Sequence, residues 1–463
     1  MLLIQFRLLF TRLVLLLTAA TAAVSAGGQS FKLMRYDENY ALMKDSARSL
    51  YNSIKYIPLA ADKSSYLSLG GEARLEMVNF NNEDWGRINI GHNNFLLQRY
   101  DLHADVHLGS RVRLFTQLRS AIQGGRKNGS RPIDEDKLNV QNLFADIVAW
   151  QQTNRRLTFR IGRQEIDYGS GRLISVREGP NARLYFTGAK VMYTTSRLQV
   201  DGFVMAADTT NPGVFDNKTN HQANLWGTYG KWIIPHHGNL DFYYLGIRRD
   251  NSPFEEGTGK EIRHTVGARL WKYGGGFIYN LEGAYQFGSF NNGNISAWTG
   301  SVDIGYLFEH VKFKPSINLR NDYISGDKQA GDGKLQTFNP LYPKGGYFGF
   351  NPQIGPVNLI DIHPYTSLTL LPNLLWQGDV VFNWRYSLQD GIYRPSGTLN
   401  MPGAASTKRY IGTAWLTSFV YSFNKFITLN TGLQYFKVSS FVHDVIPDAK
   451  NGVFINTRLS FKF

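Results

Sequence analysis

Asp101, His103, Asp105 and His107 alternate along one stretch of the chain, and mixed carboxylate–imidazole sets of this kind are metal-binding chemistry. Their spacing argues against it. Same-face neighbours on a strand stand about 6.8 Å apart, whereas ligand bonds run about 2–2.6 Å. One ion cannot be reached by all four. Arg111, Arg113 and Arg119 across the next hairpin are the better partners for the two aspartates. Asp327, Asp332 and the glycines of 326–333 resemble a calcium loop only loosely and read as polar surface. His236-His237 reads as a solvated turn. The chain has no Cys, no G-x-S-x-G and no H-E-x-x-H. No catalytic residue, metal or cofactor is expected.

The second chemistry is that of guanidinium groups, whose planar forks bind carboxylates bidentately. Arg74, Arg99, Arg111, Arg113 and Arg119 fall on the polar face of three alternating segments, and Arg156 and Arg160 on that of a fifth. Arg269, Lys312, Lys314, Arg320, Arg385, Arg458 and Lys462 follow in later segments. Acids share this face: Glu72, Glu76, Asp101, Asp105, Asp146, Glu282, Asp303 and Asp322. Either the charges form rings that favour anions, or they pair into a ladder that braces a wall.

These residues must be positioned by strands. Residues 67–77 set Leu67, Leu69, Ala73, Leu75 and Met77 against Ser68, Glu72, Arg74 and Glu76. Residues 96–108 set Tyr100, Leu102, Ala104, Val106 and Leu108 against Arg99, Asp101, His103, Asp105 and His107. The final segment sets Val453, Ile455, Leu459, Phe461 and Phe463 against Asn456, Arg458, Ser460 and Lys462. Such segments run about 10–14 residues, long enough to cross a bilayer at a tilt; ordinary strands average about 5–6. Apolar-out, polar-in alternation over about 10 residues is the code of transmembrane barrels.

The reading is an all-β fold: a single transmembrane antiparallel barrel of about 18 strands over residues 66–463. Connections at 79–94, 122–141, 165–183, 324–355 and 387–407 are long. Those at 109–110, 151–155, 194–197, 370–372 and 423–424 are short. Long extracellular loops and short periplasmic turns alternate in this way. Lipid cannot pair a free backbone edge, so the sheet must close. Tyr66, Trp150, Tyr193, Trp232, Trp271, Tyr306 and Trp376 lie near strand ends, as interfacial girdles do. The long loops 165–183, 324–355 and 387–407 are the candidate gates.

Residues 1–26 read as a signal peptide, with Arg7 and Arg12 before the apolar run Leu13 to Val24 and Val24-Ser25-Ala26 as cleavage site. Residues 27–65 form an N-terminal segment, either periplasmic or entering the lumen. The composition agrees with a barrel: aromatics make up 14% and charged residues 19% of 463 residues, with 46 Gly and a formal charge of +14. Mean hydropathy is −0.28, which excludes a helical membrane bundle.

The run RLTFRIGRQEIDYGSGRLISVREGPNARLYFTGAKVMY at 156–193 resembles the signature region of the alginate export family of outer-membrane channels. The matching pieces are Gly162-Arg163-Gln164, Tyr168-Gly169-x-Gly171-Arg172, and Asn181-x-Arg183 leading to Gly188-Ala189. YLSLGGE at 66–72, RYDENY at 35–40, NLID at 358–361 and His363-Pro364 are similar too. The resemblance implies an 18-stranded barrel with an Arg-lined constriction, in which Arg74, Arg160, Arg163 and Arg183 match by motif.

The selectivity set is therefore Arg74, Arg99, Arg113, Arg119, Arg160, Arg163, Arg183, Arg320, Arg385 and Arg458, with Glu72, Glu76, Asp101, Asp105 and Asp146 as counter-charges. The expected function is passive passage of an anionic polysaccharide or carboxylated solute across the outer membrane of a Gram-negative bacterium. The alternatives are an uptake porin for small carboxylates or oligosaccharides, and an outer-membrane enzyme. Expected partners are membrane lipid and lipopolysaccharide, the barrel insertion machinery through the strand ending in Phe463, the anionic saccharide, and periplasmic polysaccharide-export proteins. Nucleic acid is not expected.

Overall fold

The computed structural model describes residues 30–46, 49–351 and 353–463, so the expected signal peptide lies outside the described residues. Eighteen strands form one closed antiparallel sheet. They are β1 Tyr66–Asn81, β2 His92–Leu108, β3 Val112–Gly124, β4 Asp136–Gln152, β5 Arg155–Gln164 and β6 Phe186–Thr195. Then come β7 Leu198–Thr209, β8 Lys218–Ile234, β9 Gly238–Phe254, β10 Gly257–Lys272, β11 Phe277–Phe290 and β12 Gly293–Leu307. The last six are β13 Ser316–Ile324, β14 Leu359–Leu371, β15 Leu374–Arg385, β16 Tyr410–Ser422, β17 Ile427–Val438 and β18 Gly452–Lys462. Each pairs with its sequence neighbours, and β1 pairs with β18 from Glu72↔Lys462 to Asn81↔Val453. Every edge is thereby satisfied, as lipid requires.

Alternation decides which way each side chain points. Leu102, Leu114, Leu143, Ile161, Val204 and Ile317 stand exposed on the outer face, as residues facing hydrocarbon must. Arg99, Asp101 and His103 on β2 are buried inside. Three basic residues expected inside are not there. Arg111 is exposed beside a short turn, and Lys312 and Lys314 lie within the turn joining β12 to β13. The pleat ends at a turn, so parity counted through it no longer assigns a face. Arg156 keeps the phase of Thr158 and Arg160 on β5 but stands exposed at the rim. Two expected girdle residues also turn inward. Tyr66 stacks on Tyr56 and His107, with ring centres 4.5 and 4.3 Å away, and the Trp271 indole donates to Asp241 Oδ1 at 3.0 Å.

One end of the barrel carries short turns, and the other most of the long loops. The exceptions at the loop end are 255–256 and 291–292, each a two-residue hairpin closed by Phe254↔Gly257 or Phe290↔Gly293. The glycine pair Gly162↔Gly188 on β5 and β6 marks a close backbone approach. A Cβ on Gly162 would stand 2.3 Å from Leu143 O, and one on Gly188 would stand 2.2 Å from Val204 O.

The lumen is filled by chain. Loop 165–185 folds inward and meets loop 325–358. Ser175 N donates to Tyr342 O at 2.9 Å, Tyr342 N to Leu173 O at 2.8 Å, and Lys344 N to Gly171 O at 2.7 Å. Ile166, Leu173, Ile174, Phe338, Leu341 and Tyr342 from these loops join wall residues such as Phe186, Leu225 and Leu245 in one apolar core. At the short-turn end, Tyr36 enters the lumen and packs edge-on against Phe115 and Phe144, at 5.8 and 5.2 Å. Its hydroxyl donates to Glu165 O at 2.5 Å.

Candidate functional site: the arginine seat

Arg74 and Arg99 are cross-strand partners on β1 and β2. Like charges facing each other across a ladder repel, so they need a counter-charge between them. Glu178, from loop 165–185, supplies it. Arg99 Nη1 donates to Glu178 Oε1 at 2.9 Å, and Arg74 Nη1 lies 3.4 Å from the same oxygen. Arg183 Nε stands 3.2 Å from Glu178 Oε2 and 3.2 Å from Glu165 Oε1. Burial alone would push the Glu178 carboxyl up. Arg99, Arg183, Arg74 and Arg458 together hold it well below the ordinary carboxylate range.

The loop backbone is gripped as well. Arg99 Nη2 donates to Pro180 O at 2.6 Å and its Nε to Asn181 O at 2.9 Å. Arg74 donates to Glu178 O at 3.0 Å and Pro180 O at 3.1 Å. Arg458 donates to Gly179 O at 3.2 Å and to Glu76 at 2.8 Å. Asn181 is fully buried and bridges to Gln98 O, Ile122 O and Asp134 O. Across the lumen, Arg172 ties the loop's other arm to Asp322 at 2.7 Å and Thr299 Oγ1 at 2.9 Å. The loop is thus anchored by charge to two opposite walls.

The remaining expected arginines are engaged too. Arg119 makes a bidentate pair with Asp101 at 2.6 and 2.7 Å. Arg113 does so with Asp105 at 2.7 and 2.9 Å, and Arg160 with Asp146 at 2.6 and 2.8 Å. Arg320 pairs with Asp303 at 2.9 Å, and Arg163 lies 3.3 Å from Asp208. Glu72 lies 3.8 Å from Lys462 Nζ. The aspartates of the 101–107 set are therefore bound to arginines of β3.

Arg385 lies away from this seat. It is fully buried at the loop end and donates to Leu388 O, Asp390 O, Gly403 O, Ser406 O and Lys408 O. Five carbonyls on one guanidinium make it the organiser of loop 386–409, with no face left for a solute. Strand parity could not see this, because loop carbonyls have no sequence signature. Glu178 was missed for the same reason: it sits in a loop, and the strand code says nothing of loops. The signal that could have found it is a lone acid in the arginine-rich run RLISVREGPNAR.

What the seat can do chemically follows from its contents. It holds one carboxylate against guanidinium groups in a site that excludes most water. The wall arginines are fixed, while their carboxylate partner belongs to a loop.

Three comparisons bear on this geometry. The sequence profile described as Alginate export matches residues 65–456. No curated protein matches the chain in sequence. Among solved structures, OccAB1 of Acinetobacter baumannii superposes with a TM-score of 0.58 at 13% identity, covering 89% of this chain and 99% of that one. A BenF-like porin from Pseudomonas fluorescens Pf-5 gives 0.57 at 10% identity, covering 86% and 98%. OccK2 (OpdF) of Pseudomonas aeruginosa, in complex with glucuronate, gives 0.54 at 10% identity, covering 86% and 96%. At such identities the likeness is one of fold.

Proposed function

The chain belongs to the Alginate export family, and on that premise we propose that this outer-membrane channel passes a carboxylated saccharide or related organic acid by diffusion. The observation that carries the reading is Glu178, whose carboxylate sits 2.9 Å from Arg99 and 3.4 Å from Arg74. The seat already binds the functional group that the cargo would present. No covalent step is required. Guanidinium groups lower the barrier for the anion, and wall acids such as Glu76 and Asp101 keep binding weak enough for release.

The charge balance at the seat depends on the loop. With loop 165–185 in the lumen, Glu178 and Glu165 offset the arginines. Withdrawal of the loop removes three acids together with Arg172, Arg177 and Arg183, so the net charge of the lumen is unchanged. At the seat itself it leaves Arg74, Arg99 and Arg458 on the wall with Glu76 as nearest counter-charge. Opening therefore clears the path and bares the wall guanidinium groups in the same movement.

Uptake of small carboxylates is the second reading. It is favoured by the backbone contacts of 171–175 with 342–344, which narrow the lumen, and by the glucuronate held in the OccK2 structure.

The test is planar-bilayer conductance of the refolded chain, with reversal potentials in a salt gradient and titration of oligouronate against a neutral oligosaccharide. Anion selectivity and oligouronate block, both reduced in Arg74→Gln and Arg99→Gln, are the expected results. Cation selectivity in the open channel would overturn the reading.

A further inference from the structure

A cavity of about 290 Å³ lies in the lumen at the short-turn end, beneath loop 165–185 and apart from the arginine seat. Its chemistry differs from that of the seat. Lys190 Nζ lies 3.4 Å from Asp201, and Arg269 Nη1 lies 3.0 Å from Asp241. Each carboxylate also accepts a phenol: Tyr168 from the loop donates to Asp201 at 2.9 Å, and Tyr229 from β8 donates to Asp241 at 2.8 Å. The charges in these pairs cancel locally. Asp201 accepts from Gln199 as well and Asp241 from the Trp271 indole, so each carboxylate keeps one of its roughly four lone-pair sites. Asp37, Arg160 and Asp167 complete the polar lining.

The aromatic surface is ordered. Phe203, Tyr168, Tyr229 and Tyr243 form one pile, with successive ring centres 5.6, 4.6 and 5.6 Å apart, so the faces of Tyr168 and Tyr229 are used within it and their edges line the cavity. Trp271 lines the same cavity, held by its indole bond to Asp241, with the Arg269 guanidinium 4.8 Å from its ring centre on one face and the other face left as the stacking surface. Lys231 also lines it and makes no ion pair among the described residues. A pyranose ring is complementary to such a lining: its axial C–H groups form a face for an aromatic ring, and its equatorial hydroxyls project from the rim toward carboxylate acceptors. Ligand pockets typically span roughly 300–1,000 Å³, so this cavity suits one ring and not a chain.

We propose that this cavity is a subsite for a single hexose-type ring, recognised by its hydroxyls and C–H face and not by its charge. The inference rests on the reading that the cargo is a saccharide. It divides recognition between two places: the ring is read at the short-turn end and the carboxylate at the arginine seat.

Calorimetric titration of the full chain in detergent tests this, with D-glucose, sodium glucuronate and sodium acetate as probes. The expected result is that glucose and glucuronate bind within about threefold of each other and acetate does not bind at the cavity. Tyr229→Ala and Trp271→Ala should each weaken both sugars by about tenfold. Heat-modifiable migration on gels confirms that each variant is a folded barrel. Tyr229→Phe keeps the ring and removes the phenol, so it should retain more affinity than Tyr229→Ala. Absence of glucose binding, or binding indifferent to both aromatic substitutions, overturns the subsite. Reversal potentials on the same preparations keep the two readings apart. Anion selectivity without glucose binding sinks the subsite alone, and glucose binding without anion selectivity sinks the carboxylate reading alone.

Discussion

Arg99 and Glu178, 79 residues apart in sequence, meet at 2.9 Å inside the barrel, one fixed to the wall and the other carried by a loop. A solute carboxylate competes for the same guanidinium. Replacing Glu178 by Gln removes that competitor while keeping the side chain's size. Hydrogen bonds to charged groups contribute about 1.5–3 kcal/mol, so oligouronate block should tighten roughly ten- to a hundredfold. Titration of channel current in wild type and Glu178→Gln checks this. Unchanged block would show that the carboxylate of Glu178 does not occupy the cargo's seat.

Arg172 holds the other arm of the same loop to Asp322 and Thr299. Arg172→Ala frees that arm and leaves Asp322 as an uncompensated buried charge. The variant should show larger and noisier conductance than wild type, with anion selectivity retained because the wall arginines are untouched. Single-channel recording reads both quantities.

Lys55, on the short helix Leu50–Lys55, donates to Leu69 O at 2.8 Å. Burial, with a smaller push from Arg35, lowers its ammonium to about 7. In the unfolded chain a lysine titrates near about 10.4. Between those values the folded state holds fewer protons, so the docking of this helix strengthens as pH rises from about 7 to about 10. Below 7 both states are protonated and the full penalty is present. Amide exchange across 50–56, corrected for intrinsic rate, should show that slope, and Lys55→Met should abolish it.

Asp327, at the start of the long loop 325–358, runs the opposite way. Burial is the main cause that raises its carboxyl to about 6, against about 3.9 when unfolded. The folded state then holds more protons in that window. Packing of this stretch is strongest at low pH and is lost as pH climbs from about 4 to about 6, with no further change above. Protease sensitivity of the loop should be higher at pH 7 than at pH 5, and Asp327→Asn should be insensitive to the change.

Gly162 adopts φ +129°, in the region that favours glycine, and has Leu143 O where a Cβ would sit. Gly162→Val must move the β4–β5 ladder. Strain and overpacking of this kind cost about 1–3 kcal/mol. The temperature at which the barrel loses its heat-modifiable migration should fall, and an Ala variant should fall less.

Much of this molecule was legible in its alternation. The period-2 code placed Arg74, Arg99 and Arg119 inside and Tyr100, Leu102 and Leu108 outside, because a strand with lipid on one side tolerates no other register. It failed at Arg111, Lys312 and Lys314, where the pleat gives way to turns, and at Trp271, which a girdle rule sent outward. The seat was half legible. Its wall arginines follow from parity, but Glu178 and the five carbonyls on Arg385 come from loops, whose course is set by tertiary contacts alone.

Arg35 offers a last consequence. Its guanidinium donates to Gly71 O at 2.9 Å and to Phe463 O at 2.8 Å. Gly71 belongs to the first strand and Phe463 follows directly on the last, so the two acceptors lie far apart until the cylinder is complete. The pocket for Arg35 is made by closure itself. The full set of Arg35 contacts exists only when the final strand is zipped onto the first, so this side chain fastens the seam from within.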